Sequence, residues 1–124
     1  MQRRLTKYQS DVGSVTAELA MAMPAVALVI AITISAFALQ IERMKLVDVA
    51  AMAARASARG ETEDNIRALI AEMTAPVSQE QIRVQFEVRE NVSCAVLARS
   101  FQIPALGAEP FELSELQCAR KLGL

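Results

Sequence analysis

The sequence predicts an α+β protein, in which a long N-terminal helix begins as a membrane span and continues into a small outer domain. That domain is expected to hold a short helix and a three-stranded antiparallel sheet. Three observations carry this prediction. Leu19 to Leu39 is a run of 21 residues without a charge. No Gly or Pro interrupts Gln40 to Arg59, so the helix has no reason to stop at the end of the apolar run. Beyond Gly60 the apolar spacing changes, from threes and fours to the strict alternation of Ile82, Val84, Phe86 and Val88.

These observations divide the 124 residues into a basic leader (1–13), a transmembrane helix (14–39), its continuation (40–60) and a small extracytoplasmic α+β domain (61–124). The part beyond the apolar run, about 85 residues, is near the lower end of what folds on one core. Residues 1–13 sum to +2 through Arg3, Arg4, Lys7 and Asp11, and the remainder sums to −3. A basic end before an apolar span reads as cytoplasmic, which puts the C-terminal part outside the cell membrane. Arg43 and Lys45 oppose that reading, and Glu42 and Asp48 beside them soften the opposition. A formal net charge of −1 makes no case for direct nucleic-acid binding. There is no histidine, which removes Ser-His and Cys-His nucleophilic schemes and the commonest metal ligand. No Gly-rich phosphate loop or CxxC pair is present either. No catalytic residue, metal site or cofactor is assigned, and the expectation is a protein that is not an enzyme.

At about 1.5 Å per residue, 21 residues make roughly 31 Å of helix, which matches a bilayer core of about 30 Å. A signal peptide is the competing reading, with Ala36-Phe37-Ala38 as its cleavage site. The run is longer than the usual 7–15-residue core of such peptides, and Glu18 separates it from the basic end. Pro24 is expected to kink the helix, because it lacks the N–H that an interior position donates. In the continuation, Ile41, Met44, Val47, Ala51, Ala54 and Ala58 form an apolar stripe of mostly small residues. Gly60 ends the helix, so one helix is expected from Ser14 to Arg59.

Glu61 to Asp64 opens a second helix, with Ile66, Leu69, Ile70 and Met73 as its stripe and Pro76 as its stop. Ile82 to Val88 and Val92 to Ala98 read as a hairpin joined by Arg89-Glu90-Asn91, with Asn91 suited to a left-handed position. A three-residue loop sets Val88 against Val92, Phe86 against Cys94 and Val84 against Val96, giving one continuous apolar face; a two-residue loop sets Phe86 against Ala95. Pro104, Gly107 and Pro110 mark the next connection, with the turn near Leu106. Phe111 to Ala119 is a third strand, and pairing it with the second brings Cys94 opposite Cys118 and Val96 opposite Leu116. A cross-strand disulfide is therefore expected, with two buried thiols as the alternative. Glu109, Glu112 and Glu115 read as a solvated acidic strand edge.

The segment Gly13-Ser14-Val15-Thr16-Ala17-Glu18 places a carboxylate five residues after a glycine, behind a basic leader and at the mouth of the span. That is the layout of a prepilin-peptidase site. The glycine leaves the backbone open to a protease, and a new amine at Ser14 supplies the cation that Glu18 needs inside a helix bundle. The other reading puts Glu18 in the headgroup layer as a solvated helix-start residue.

Gly13 to Ala20, followed by Pro24 and the Ala/Val/Ile/Leu run, resembles the start of TadE-like minor pilins of the tight-adherence, Flp-type branch of type IV pili. Asp48 to Glu61 is similar to an Ala/Arg-rich ending found in members of that family. The resemblance covers residues 12–61, and the later strands only in layout. Family members commonly carry a basic residue before the glycine, where Val12 stands here behind Asp11. The resemblance implies a type IV pilin-like fold and a single-pass subunit cleaved between Gly13 and Ser14. It makes Glu18 the fifth mature residue, with a role in assembly. The implied partners are a prepilin peptidase, other pilin and minor pilin subunits, the membrane platform of pilus assembly and the lipid bilayer. A permanently anchored envelope protein whose outer domain binds a partner or ligand is the alternative.

Overall fold

A computed structural model describes residues 9–102 and 109–121. The elements are α1 (Gln9–Ala58), α2 (Glu63–Thr74), a 3₁₀ turn (Gln79–Gln81), β1 (Ile82–Val88), β2 (Val92–Phe101) and β3 (Phe111–Arg120). The strands form one antiparallel sheet in the order β1-β2-β3. The α+β layout expected from the sequence is therefore present. Residues 1–8 of the leader, and the turn expected around Pro104, Leu106 and Gly107, lie outside the described residues. The chain divides after Leu39 into two compact units, each described by itself.

In the first unit α1 starts at Gln9, five residues before the expected Ser14. Nothing between Gln9 and Gly13 breaks a helix, and one glycine costs only about 1 kcal/mol relative to Ala. Every side chain described from Val15 to Leu39 is exposed. Thr33 and Ser35 donate to the carbonyls of Val29 (2.8 Å) and Ala31 (2.8 Å), which satisfies both hydroxyls within the helix itself. Pro24 lies inside α1 and leaves the Ala20 carbonyl without its usual donor.

The second unit holds the core. Leu46, Val49, Ala50, Ala53, Ala54 and Ala56 of α1 are buried with Ile66 and Ile70 of α2 and with Ala95 and Leu97 of β2. The expected stripe is buried only at its C-terminal end: Ala54 and Ala58 are buried, but Ile41 and Met44 are 54% and 67% exposed, and Val47 and Ala51 are half-buried. Two apolar stripes run along this helix. The one carrying Ala50, Ala53 and Ala54 is buried in one cluster with Leu46 and Val49, and Ser57 meets Ser93 of β2. The Ser57 and Ser93 hydroxyls meet at 2.5 Å, so the fully buried Ser93 is satisfied.

That contact also decides the hairpin. Ile82 pairs with Arg99, Val84 with Leu97, Phe86 with Ala95 and Val88 with Ser93, one residue away from the expected register. The backbone N–H of Arg89 donates to the Val92 carbonyl at 2.8 Å, closing a two-residue loop of Glu90 and Asn91. No described residue other than glycine has positive φ, so Asn91 is not left-handed. Its carbonyl instead accepts from the Lys121 N–H at 3.0 Å, which ties the hairpin to the end of β3. The face turned to α1 thus carries Ile82, Val84 and Phe86 beside Ser93, Ala95 and Leu97. Cys94 and Val96 lie on the opposite face.

The β2–β3 register is the expected one, with Cys94 opposite Cys118 and Val96 opposite Leu116. Cys94 and Cys118 form a disulfide. α2 begins at Glu63 behind Thr62, whose Oγ1 accepts from the Asn65 N–H at 3.4 Å. Gly60 ends the turn after α1 with a φ of 83°, a conformation that costs glycine nothing.

Ala54 is fully buried, so Ala54→Leu must displace the sheet or adopt a strained rotamer. It should destabilise the outer domain by about 1–3 kcal/mol. Chemical denaturation of the full chain in detergent, followed by circular dichroism, measures this.

Candidate functional site

The residues singled out by the sequence fall into separate places. Gly13, Ser14 and Glu18 share the start of α1 and therefore one regular backbone. Gly13 is exposed, and a Cβ added there would meet nothing within 4 Å. Its carbonyl accepts from the Thr16 hydroxyl at 3.0 Å. The Gly13–Ser14 bond is therefore helical rather than extended, and a protease must unwind this turn to cut it. Ser14 and Glu18 stand four residues apart, about one turn and ~6 Å along the axis, on the same side of the helix.

Glu18 is exposed and makes no ion pair among the described residues. Among those residues one helix is long and apolar enough to cross a membrane, and its most apolar stretch is not buried at all. A carboxylate at the head of such a helix is well placed only if water or a cation reaches it.

The second place is the helix–sheet junction at Gln40–Leu46, which sequence reasoning missed. Glu42 accepts from Lys45 at 3.1 Å through one carboxylate oxygen and from Arg99 of β2 through the other. Arg43 reaches Glu115 of β3 at 2.5 Å. The Arg99 guanidinium lies 4.4 Å from the centroid of the Phe101 ring, so it is held on a second side. Its Nε is buried without an acceptor among the described residues. A groove of about 420 Å³ opens beside it, with Leu46, Val49, Met73 and Ile82 among its walls. The signal available in the sequence was the charged cluster Glu42, Arg43 and Lys45, placed immediately after an apolar span on a helix that must also carry a sheet.

Glu115 corrects the expectation of a solvated acidic edge. Its side chain is only 15% exposed and clasps α1. Glu112 points to the other face and pairs with Arg83 of β1 across the sheet. The Glu42 and Arg99 side chains are 26% and 19% exposed, so their pair is less screened than a surface one. A double-mutant cycle with Glu42→Gln and Arg99→Met should return a coupling of about 1–2 kcal/mol, measured by chemical denaturation.

The disulfide is the third place. It joins the central strand to an edge strand on the face away from α1, with Val96 and the 55% exposed Leu116 in the next row. Among the described residues no group of three or more His, Cys, Asp or Glu side chains is arranged to hold a metal ion. Family models, curated proteins and solved structures contain no match to this chain.

Proposed function

We propose that the chain is a minor pilin, a pseudopilin-like subunit of a tight-adherence (Tad/Flp) type IV pilus. It is inserted by α1, cut between Gly13 and Ser14 by a prepilin peptidase, and incorporated through its helix. The observation that carries this reading is Glu18: an exposed carboxylate at the head of an apolar helix, without a cation among the described residues, one turn from the bond to be cut. Cleavage creates an amine at Ser14. When helices bundle, that charge and the Glu18 carboxylate neutralise one another and both leave water at lower cost. The resemblance of residues 12–61 to TadE-like proteins adds to this reading, and the small outer domain closed by Cys94–Cys118 suits an extracytoplasmic location. The cytoplasmic N-terminus, the assembly platform and an end use in adhesion or DNA uptake belong to the same proposal.

The groove beside Arg99 is the feature that favours the second reading, an anchored envelope protein that binds a ligand. Mass spectrometry of the protein purified from its own host separates the two. A mature N-terminus at Ser14 supports the pilin, and an intact Met1 overturns it.

A further inference from the structure

We infer that the open edge of β3 pairs with the same edge of a second copy of this chain, antiparallel, so that two three-stranded sheets join into one. β3 is an edge strand, bonded to β2 on one side only. The Lys121 N–H donates to the Asn91 carbonyl, and backbone direction alternates along an antiparallel pair. Odd-numbered residues of β3 therefore turn their backbone groups to β2. Glu112, Ser114, Leu116, Cys118 and Arg120 turn theirs to the open edge, where they have no backbone partner among the described residues. Such an edge is a template for another strand. The opposite edge, β1, is flanked by α2, whose Glu63 and Arg67 stand beside Val84 and Phe86.

The side chains select the partner strand. About a two-fold axis at Leu116, normal to the sheet, Glu112 of each copy faces Arg120 of the other, Ser114 faces Cys118 and Leu116 faces itself. All these positions carry outward backbone groups, so each pair exchanges its hydrogen bonds, and each contact away from the axis occurs twice. Leu116, which is 55% exposed, becomes covered. Arg120 makes no ion pair among the described residues, and it gains Glu112. Glu112 keeps Arg83 of its own copy, so signs alternate from Arg83 through Glu112 to Arg120. On the face turned to α1, Glu115 keeps Arg43 and meets Gln117, and Lys121 meets Phe111. Glu109 lies beyond the paired length. Shifting the register by two residues sets Glu115 against itself in one direction and Arg120 against Ser114 in the other. A shift by one residue faces outward backbone groups with inward ones. One register therefore pairs opposite charges and sets no like charges directly opposite.

The pairing reverses one copy. β2 runs alongside the Gln40–Ala58 part of α1, since Glu42 meets Arg99 and Ser57 meets Ser93. The two Gln40 ends therefore leave the joined sheet in opposite directions. On the membrane-anchored reading above, copies in one membrane do not meet in this way. The contact joins copies carried on two surfaces or filaments that face one another. A single pair of strands buries little area against about 800 Å² per partner for a stable interface. Each contact is weak alone, and many presented together add up.

A photoreactive benzophenone amino acid in place of Leu116 in the full-length chain reports the contact. The 47% exposed Phe111 is the second position if the first variant fails to fold. Copies with two different tags, mixed in uncharged detergent and irradiated, should give a cross-linked species that holds both tags. Its absence at both positions in folded protein overturns the proposal. Charge reversal on this background gives the independent arm. Glu112→Arg sets like charges at both ion-pair contacts, as does Arg120→Glu, and a mixture of the two variants restores opposite signs at both. Each variant alone should lower the yield several-fold, and the mixture should recover it. Yields that do not respond to the charges overturn the register and with it the proposal. In phosphatidylcholine vesicles, tags carried by two separate populations should become cross-linked to one another. Cross-links confined to one population overturn the antiparallel arrangement. All three readouts work whether the chain begins at Met1 or at Ser14, so they succeed or fail separately from the processing reading.

Discussion

If the chain is the pilin proposed above, Glu18→Ala should leave membrane insertion intact and lower incorporation into the pilus by at least two orders of magnitude. Insertion is spared because the substitution removes a charge from the head of an apolar helix, and a neutral residue there is easier to place in lipid. Incorporation should fail because, on the proposed processing, the amine created at Ser14 loses its counter-charge. An ammonium left unpaired in a helix bundle costs about 3–5 kcal/mol, which corresponds to roughly 10²–10⁴ in the assembly equilibrium. Glu18→Gln preserves the size and hydrogen-bonding capacity of the side chain but not its charge, so it should fail nearly as badly. Glu18→Asp keeps the charge on a shorter stem and should recover part of the loss. Subunit content of sheared pili, measured against the membrane pool by immunoblot, checks all three. Equal incorporation of the Glu and Ala forms would leave Glu18 as a solvated helix-start residue.

The fold was legible in the sequence where a local pattern and a distant one agreed. The β2–β3 register is such a case, because the cysteine pair and the Val96–Leu116 pair demand the same alignment. Gly60 and Thr62 mark a helix end and a helix start through their own backbone chemistry. The β1–β2 register was not legible, for a physical reason. β2 offers two faces, Val92-Cys94-Val96 and Ser93-Ala95-Leu97, and alternation favours the larger side chains. The chain buries the second set, in one cluster with Ala50, Ala53 and Ala54 of α1 and with Ser57 meeting Ser93. That preference belongs to a contact between residues 36 positions apart, not to either strand alone.

The same reasoning applies to the helix. Ile41 and Met44 look like core from their spacing, yet Leu46 and Val49 are the ones buried at this end of the helix. The clasp of Glu42 with Arg99 spans 57 positions and leaves no local trace. At the candidate site, the spacing from Gly13 to Glu18 was visible at once. The helix that already begins at Gln9 was not, since short polar segments before a span carry no strong stop signal.

Replacing both cysteines by serine should lower the stability of the outer domain by about 3 kcal/mol while leaving its core packing unchanged. The bridge closes 24 positions of chain, and the entropy removed from the unfolded state by a loop of that length corresponds to about that figure. Against a total of about 5–15 kcal/mol for a small domain, the loss is large. The core cluster is spared because the bridge sits on the face away from α1, outside the cluster of Ala50, Ala54, Ala95 and Leu97; Cys118 is exposed, and a serine at the buried Cys94 adds the cost of covering one hydroxyl. The two registers of β2 are also held without it, by the full strand ladders and by Lys121 to Asn91. Urea denaturation of the full chain in detergent, oxidised wild type against the double variant, measures the difference. The midpoint should fall with the native spectrum retained. A loss below about 1 kcal/mol would mean that the unfolded chain already keeps these strands together, and that the disulfide serves the surface it lies on rather than the stability of the fold.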